Sequence, residues 1–415
     1  MSEWKEFKLK EITSKIGSGS TPTGGKDAYF DSGITLIRSL NIYDFVFSYK
    51  DLAFINEDQA KKLNGVTVHK KDILLNITGA SVGRCTIVPE HLLPARVNQH
   101  VSIIRIRKEK VNPKFLLYCI NSPAYKDMLL TISGSGATRE ALTKDDIENF
   151  KILLPELPIQ QRIASILSAY DELIENNNHR IVLLERMAEQ IYKEWFVRLR
   201  FPGWENVELK KGVPKGWEVK TVKDFGKIVT GKTPSTFNSR YFGGKYPFIK
   251  TPDMHEKMFI LHTEESLTED GFNSQKSQII SENSICVNCI GTGAGLVSIT
   301  PSICMTNQQI HTLILKNQEE LEFLFFVFRG LKPMIEMVGS TGATMTNVSK
   351  GKFENLKLIK PNDQIIKQYS LITKPMFNSI RILLEQQIIL TQTRDLLLPR
   401  LISGKLRVKN AEMKL

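Results

Sequence analysis

The stretch LPELPIQQRIASILSAYDELIENNNHRIVLLERMAEQIYKEWF, Leu154 to Phe196, decides the architecture. From Ile163 its apolar side chains fall at Leu167, Tyr170, Ile174, Ile181, Leu184, Ala188, Ile191 and Trp195, in alternating steps of four and three, with Asn177 the polar member of the series. Such spacing keeps one stripe of a helix apolar over many turns, which is the signature of a coiled coil. Near the C-terminus the same spacing runs through Tyr369, Thr373, Met376, Ile380, Leu383, Gln387, Leu390, Arg394, Leu397 and Leu401. This second seam is weaker. Pro375 is expected to delay or kink its first turns, because proline has no N–H and crowds the carbonyl four residues earlier. Two helices of about forty residues, each roughly 60 Å long, are expected to pair with one another. Asn177 then fixes their register at some cost in stability.

Outward from these helices the chain reads twice. Trp4-Lys5-Glu6 begins one half and Trp217-Glu218-Val219 the other. Gly19-Ser20-Thr21-Pro22 returns as Gly231-Lys232-Thr233-Pro234, and Tyr29-Phe30 as Tyr241-Phe242. ITGASVGRCTIVP (Ile77–Pro89) returns as CIGTGAGLVSITP (Cys289–Pro301), Asn98-Gln99 as Asn307-Gln308, and GSGAT (Gly134–Thr138) as GSTGAT (Gly339–Thr344). A constant order with a slowly drifting offset means two similar domains. Each holds short β-like runs, such as VSIIRIR (Val101–Arg107) and HTLILK (His311–Lys316), before its long helix. The expected fold is α+β, an internal repeat with a pseudo-twofold character. Its parts are a first domain at 1–156, a helical region at 157–200 and a Pro/Gly/Lys-rich linker at 201–216. A second domain at 217–361, a second helical region at 362–404 and a tail at 405–415 complete it.

Composition narrows the function. Of the 415 residues 41% are hydrophobic and 24% charged, which excludes wholesale disorder. No run approaches the ~18 apolar residues of a membrane span, the richest being Leu321–Phe328. MSEWKEFKLKE at the start has no apolar signal core, so a cytoplasmic location is expected. Five cysteines without a framework spacing suit a reducing compartment. The net charge of +12 points to a polyanionic partner, and a basic composition alone would also suit a membrane surface or an RNA. Residues 1–206 carry 28 basic and 25 acidic side chains and residues 207–415 carry 28 and 19, so the halves stand at +3 and +9.

Several motifs invite a catalytic reading and lack its context. Gly226–Thr233 spells the phosphate-loop pattern GxxxxGK[ST], but WEVKTVKDFG before it is no buried strand and Pro234 disfavours a helix after it. A Gly/Thr/Pro loop that leaves Lys232 free to meet a phosphate backbone fits better. Cys286-x-x-Cys289, with Cys304 and His311 beyond, supplies only one tight ligand pair, so buried strand cysteines are expected rather than zinc. Gly291-x-Gly293-x-Gly295 and its counterpart Gly79–Gly83 suggest a tight turn. A GxSxG nucleophile elbow, HExxH and the Asn-Pro-Pro-Tyr type of methyltransferase motif are not expected in this chain, and the seven histidines form no cluster.

Repeated polar positions remain. Thr78, Arg84, Asn98, Gln99, His100, Thr138 and Arg139 in the first half face Asn288, Thr292, Asn307, Gln308, Gln309, Thr344, Thr346 and Asn347 in the second. Thr21, Lys26, Arg38, Lys232, Thr233, Arg240 and Lys250 complete the candidate set. Asn, Gln and Arg read base edges bidentately, whereas Lys, Arg, Ser and Thr hold phosphates. Singly, each residue also suits an ordinary turn. As a repeated set on a basic chain they favour DNA.

This layout resembles the specificity subunits of Type I restriction-modification systems. The central segment quoted first, TRDLLLPRLISGKLRV (Thr393–Val408), the GSTPT and GKTPS openings and the Gly-Ala-Thr turns carry the resemblance. It implies two target-recognition domains joined by two helices that pair antiparallel, each domain reading one half of a split DNA sequence and the helices setting the spacer. Two modification subunits then dock and methylate adenine with S-adenosylmethionine, and restriction subunits add ATP-dependent, Mg-dependent cleavage. The chain itself is expected to be non-catalytic and to hold no cofactor or metal. Two other classes compete. A coiled-coil adaptor for RNA or protein has no reason to duplicate a polar-loop domain, and a degenerate fused restriction-methyltransferase should keep methyltransferase motifs.

Overall fold

In the computed structural model the first long helix spans Leu157–Tyr192, with a π-turn at Lys193–Val197, and the second spans Asp363–Ile402. The structure describes residues 4–107, 109–134, 140–255, 257–291, 293–339 and 346–408. None of the seam residues named above is exposed. Pro375 neither delays nor interrupts the second helix, contrary to expectation. It lies on the solvent face, where Leu371, whose carbonyl the proline leaves without an N–H, is 69% exposed. The Ser379 hydroxyl donates to the Pro375 carbonyl at 2.8 Å.

The chain divides into two units, Met1–Glu175 with Ile389–Leu415, and Asn176–Ile388. The first contains an antiparallel sheet in the order Thr13–Ser18, Val101–Ile106, Ile73–Asn76, Cys85–Ile87. Its alternating side chains serve two cores. Ile73, Leu75 and Ile104 pack with helix Pro113–Asn121, and with Ile163, Leu167, Leu398 and Leu401 of the long helices. Leu74 and Ile103 point to the other face, with Ile37 and Val97. That face meets a second sheet, ordered Ala53–Ile55, Ile34–Ile37, Ala95–Val97, Thr67–Val68, whose middle pair is parallel. A ribbon pairs Lys5–Lys8 with Lys151–Leu154.

The second unit repeats the plan. Gly226–Thr230, Ile310–Leu315, Ile285–Asn288 and Val297–Ile299 form the antiparallel sheet in the same order. Ile285, Val287 and Leu313 face helix Leu321–Gly330, while Cys286 and Ile310 face Ile249, Ile280 and Cys304. The smaller sheet runs Glu265–Leu267, Phe242–Ile249, Met305–Thr306, and Glu218–Thr221 pairs with Lys357–Lys360. Residues 201–216, expected as a linker, are mostly exposed, with two anchored points. Phe201 is buried against Trp217 with ring centroids 5.2 Å apart, and Leu209–Lys210 pairs with Val213–Pro214.

Within each unit the long helices run antiparallel. In the first, Asp171 meets Arg394. In the second, Asn178 meets Gln387, and buried Asn177 donates to Gln386 at 3.4 Å, while Tyr369 reaches Ala188. Among the described residues no helix is long and apolar enough to cross a membrane.

Candidate nucleic-acid interface

Four loops recur in the two units with matching turns and hydrogen bonds. The strands ending at Asn76 and Asn288 lead into turns bounded by Gly79 and Gly83 (φ 70° and 82°) and by Gly291 and Gly295 (φ 84° and 86°). Such positive φ strains any residue with a Cβ, which is why glycine recurs at both ends. In the next loop the Asn98 Oδ1 accepts from the His100 N–H at 3.2 Å, and Asn307 Oδ1 accepts from the Gln309 N–H at 3.2 Å. The Ser20 N–H donates to the Val97 carbonyl at 3.0 Å, and the Lys232 N–H to the Thr306 carbonyl at 2.9 Å. In the fourth, the Arg38 N–H donates to Asn41 Oδ1 at 3.0 Å and the Lys250 N–H to Asp253 Oδ2 at 2.8 Å.

In the first unit Thr78 Oγ1 lies 2.7 Å from His100 Nδ1, and Asn76 donates to the Ser39 carbonyl at 2.9 Å. Gln99 and Thr21 are exposed. The Arg84 guanidinium lies 4.8 Å from the Tyr43 ring centre and that of Arg38 5.7 Å from Tyr29, so both cations rest on aromatic faces. In the second unit the Thr251 hydroxyl reaches Asn288 Oδ1 at 3.1 Å and Gln309 Oε1 at 2.9 Å; its one proton serves one of them at a time. Asn307 also donates to Gln309 Oε1 at 3.1 Å, and Thr233 donates to Gln308 at 2.9 Å.

The structure therefore joins Thr78 with His100, Thr233 with Gln308, and Asn288 with Asn307 and Gln309. Asn98, Asn288 and Asn307 are buried with their amides engaged inside the chain, so they shape the loops. Gln99, Gln308 and Lys232 face solvent. Lys250 and Arg240 stand apart from this network, Lys250 paired with Glu265 and the Arg240 carbonyl bonded by Thr268. The Thr346 carbonyl accepts from Gly291 N–H at 2.9 Å, and exposed Asn347 donates its N–H to Gly339 at 3.1 Å. Thr138, Arg139, Thr292, Thr344 and the side chain of Lys26 lie outside the described residues.

Asn76, Ser39, Thr251 and Tyr43 escape the sequence-level candidates. Their signal is positional: Asn76 and Asn288 stand one residue ahead of the repeated segment, and Ser39 and Thr251 follow the paired cations Arg38 and Lys250.

The motif lookalikes resolve into scaffold. Gly226–Thr230 is a strand, and a Cβ at Gly226 would lie 2.0 Å from the Ile314 carbonyl oxygen; at Gly231 it would lie 2.1 Å from that of Asn307. Close backbone approach requires those glycines. Gly79-Ala80-Ser81-Val82-Gly83 spells the GxSxG of a nucleophile elbow, so that pattern is present in the chain, contrary to expectation. It joins two antiparallel strands, whereas an elbow needs a strand followed by a helix. Burial pushes the Cys85, Cys286 and Cys289 thiols up to about 12, far from reactive. Burial also holds the His311 imidazole below its ordinary value. The neutral ring then donates from Nε2 to the Val348 carbonyl at 2.9 Å, and its Nδ1 accepts from the Thr230 hydroxyl at 3.0 Å. Among the described residues no group of three His, Cys, Asp or Glu is placed to hold a metal ion.

Residues 1–186 and 214–391 match the family described as the Type I restriction modification DNA specificity domain. The chain is 28% identical to the Type I restriction enzyme HindI specificity subunit of Haemophilus influenzae, across 98% of this chain and 100% of that protein. It is 28% identical to the MjaIX specificity subunit of Methanocaldococcus jannaschii, across 98% and 94%. The crystal structure of a Type I restriction-modification S subunit from M. genitalium is similar in fold, with a TM-score of 0.63, 14% identity and 96% of each chain covered.

Proposed function

The chain belongs to the Type I restriction-modification DNA specificity family, and from that premise we propose that the four recurring loops of each unit read one half of its DNA target. It is a DNA specificity subunit, and bipartite recognition is the general property of its family. Subunits of this kind assemble with others and are not themselves catalysts. The observation that supports the loop assignment is a constant scaffold with changed side chains. The hydrogen bonds that shape the loops recur, yet His100 stands where the second unit has Gln309, Ser20 where it has Lys232, and Arg84 where it has Leu296. Two different half-sequences read by one fold require that combination.

In this proposal exposed Gln99 and Gln308 reach base edges, and Lys232 and Thr21 meet phosphates. The partners are duplex DNA, two modification subunits that methylate adenine, and restriction subunits, acting in the cytoplasm. S-adenosylmethionine, ATP and Mg belong to those partners. The test is methylation mapping with the complex of this chain and its modification subunit, on a library randomised across both half-sites. Gln99→Ala should relax discrimination in one half by about five- to a hundredfold, and Gln308→Ala in the other, as loss of one bidentate base contact does. Relaxation of neither half would remove the two glutamines as base readers, and unchanged discrimination on substitution throughout the four loops would sink the loop assignment. Methyl transfer by the chain alone would sink the division of labour.

A further inference from the structure

Phe237 is 102% exposed, whereas the next most exposed large apolar side chain among the described residues reaches 69%. A ring held wholly in water contributes nothing to the core. The loop that carries it is nevertheless firmly tied. Its root is held by the Gly231 and Lys232 N–H groups on Ile310 and Thr306, and by Thr233 on Gln308. Beyond the ring, the Asn238 N–H donates to the Ser235 carbonyl at 3.2 Å and the Tyr241 N–H to that of Asn238 at 3.1 Å. The backbone therefore presents Phe237 from a segment joined to the polar network described above.

The sequence around the ring suggests the partner. Residues 225–252 contain Lys227, Lys232, Arg240, Lys245 and Lys250 and no Asp or Glu; Lys245 meets Glu269 and Lys250 meets Glu265 from outside the segment, while Lys232 and Arg240 flank the ring and are exposed. The matching stretch of the first unit, 13–40, has three basic residues against Asp27 and Asp31, and Gly25 in the place of Phe237. An apolar ring within an acid-free, basic segment suits a polyanion that also offers apolar surface, and duplex DNA has both in its phosphates and its bases.

We propose that Phe237 is a specificity-determining residue of the second unit, making an apolar contact to the bases of its half-site that the first unit lacks. This rests on the loops reading DNA. The test compares Phe237→Ala and Phe237→Leu with Gln308→Ala in the complex with the modification subunit, mapped on the randomised library. Discrimination at one or two adjacent positions of a single half should fall about five- to a hundredfold in Phe237→Ala, with partial recovery in Phe237→Leu. The relaxed positions should lie in the half that Gln308→Ala affects, and the thermal midpoint should not move. Unchanged base preference in Phe237→Ala beside an intact Gln308→Ala effect overturns this inference and leaves the loop assignment standing. Weakened assembly with unchanged base preference overturns it too, and makes the ring a contact for a protein subunit. A base-preference change in Phe237→Ala with none in Gln308→Ala or Gln99→Ala supports Phe237 and removes the glutamines.

Discussion

At one matching site the two units fasten their share of the long helices by different chemistry. In the first, the Tyr118 hydroxyl donates to Asp171, whose other oxygen takes Arg394 at 2.7 Å, and Arg394 also holds Asp395 at 2.9 Å. Burial first, then the Asp171 carboxylate, pushes the Tyr118 phenol up, so it stays a donor. Burial alone would lower Arg394, but Asp171 and Asp395 outweigh it and keep the guanidinium charged. In the second unit the equivalent positions are Phe326, Phe377 and Ala188. Phe326 and Phe377 pack edge-on with centroids 5.8 Å apart, and Phe377 also meets Phe259 and Phe325. One helix junction is thus served by a satisfied polar triad or by interlocked rings. What the site requires is complementarity, because a buried ion pair and an apolar set of similar volume are often close in energy.

The largest effect is expected on the aromatic side. Phe377→Ala should cost about 3–5 kcal/mol, the usual price of emptying a fully buried ring site. Chemical denaturation measures that loss, and hydrogen exchange should show it in residues 363–388 before 389–402. Arg394→Ala should cost about 2–4 kcal/mol by stranding Asp171, with exchange now rising first in 389–402. Converting the whole triad, Tyr118→Phe with Asp171→Phe and Arg394→Ala, should return stability to within about 1 kcal/mol of the parent. A triple variant as weak as Arg394→Ala would show that the triad is not interchangeable with the rings.

A smaller effect follows from Glu322, which the second unit buries where the first has exposed Lys114. Burial raises its carboxyl to about 7, against the hydrogen bond from Ser370 at 3.0 Å and the charge of Lys374. The folded unit therefore binds this proton more tightly than the unfolded chain, whose glutamate titrates near 4.5. Its stabilising contribution is full below about 4.5 and is lost as pH rises through about 7, a fall of about 3 kcal/mol. Urea midpoints at pH 5 and pH 8 should differ accordingly, and Glu322→Gln should flatten the difference. An equal pH slope in the variant would assign it to other groups.

What the sequence makes legible is what is periodic or repeated. The seam from Ile163 to Trp195 shows because a stripe on one helix leaves a one-dimensional trace, and the duplicated loops show because both copies carry it. Helices Pro113–Asn121 and Leu321–Gly330 leave none. Seven of nine and seven of ten of their residues are buried, and fewer than three turns leave a period of 3.6 little room to repeat. Arg394 looks like a flaw in the second seam until Asp171, 223 residues away, is found beside it. The candidate site has the same limit. Composition places Asn98, Asn288 and Asn307 among the base readers, and only the fold shows their amides spent on their own loops.

The ribbons that bring each domain's two ends together have a consequence for how such a chain changes over time. Lys5 faces Leu154 and Lys8 faces Lys151; Glu218 faces Lys360 and Thr221 faces Lys357. Entry and exit are thus zipped side by side, roughly 5 Å apart, by backbone bonds that do not depend on which side chains flank them. A genetic crossover within those strands would exchange a whole recognition cassette and leave the helix seams untouched. If the loops read DNA as proposed, new targets would then arise by shuffling intact readers, without a path through half-altered loops. Replacing residues 9–150 with the same segment of a relative should change one half of the methylated sequence and leave the other, and a change in both would mean that the zipped ends do not insulate the cassette.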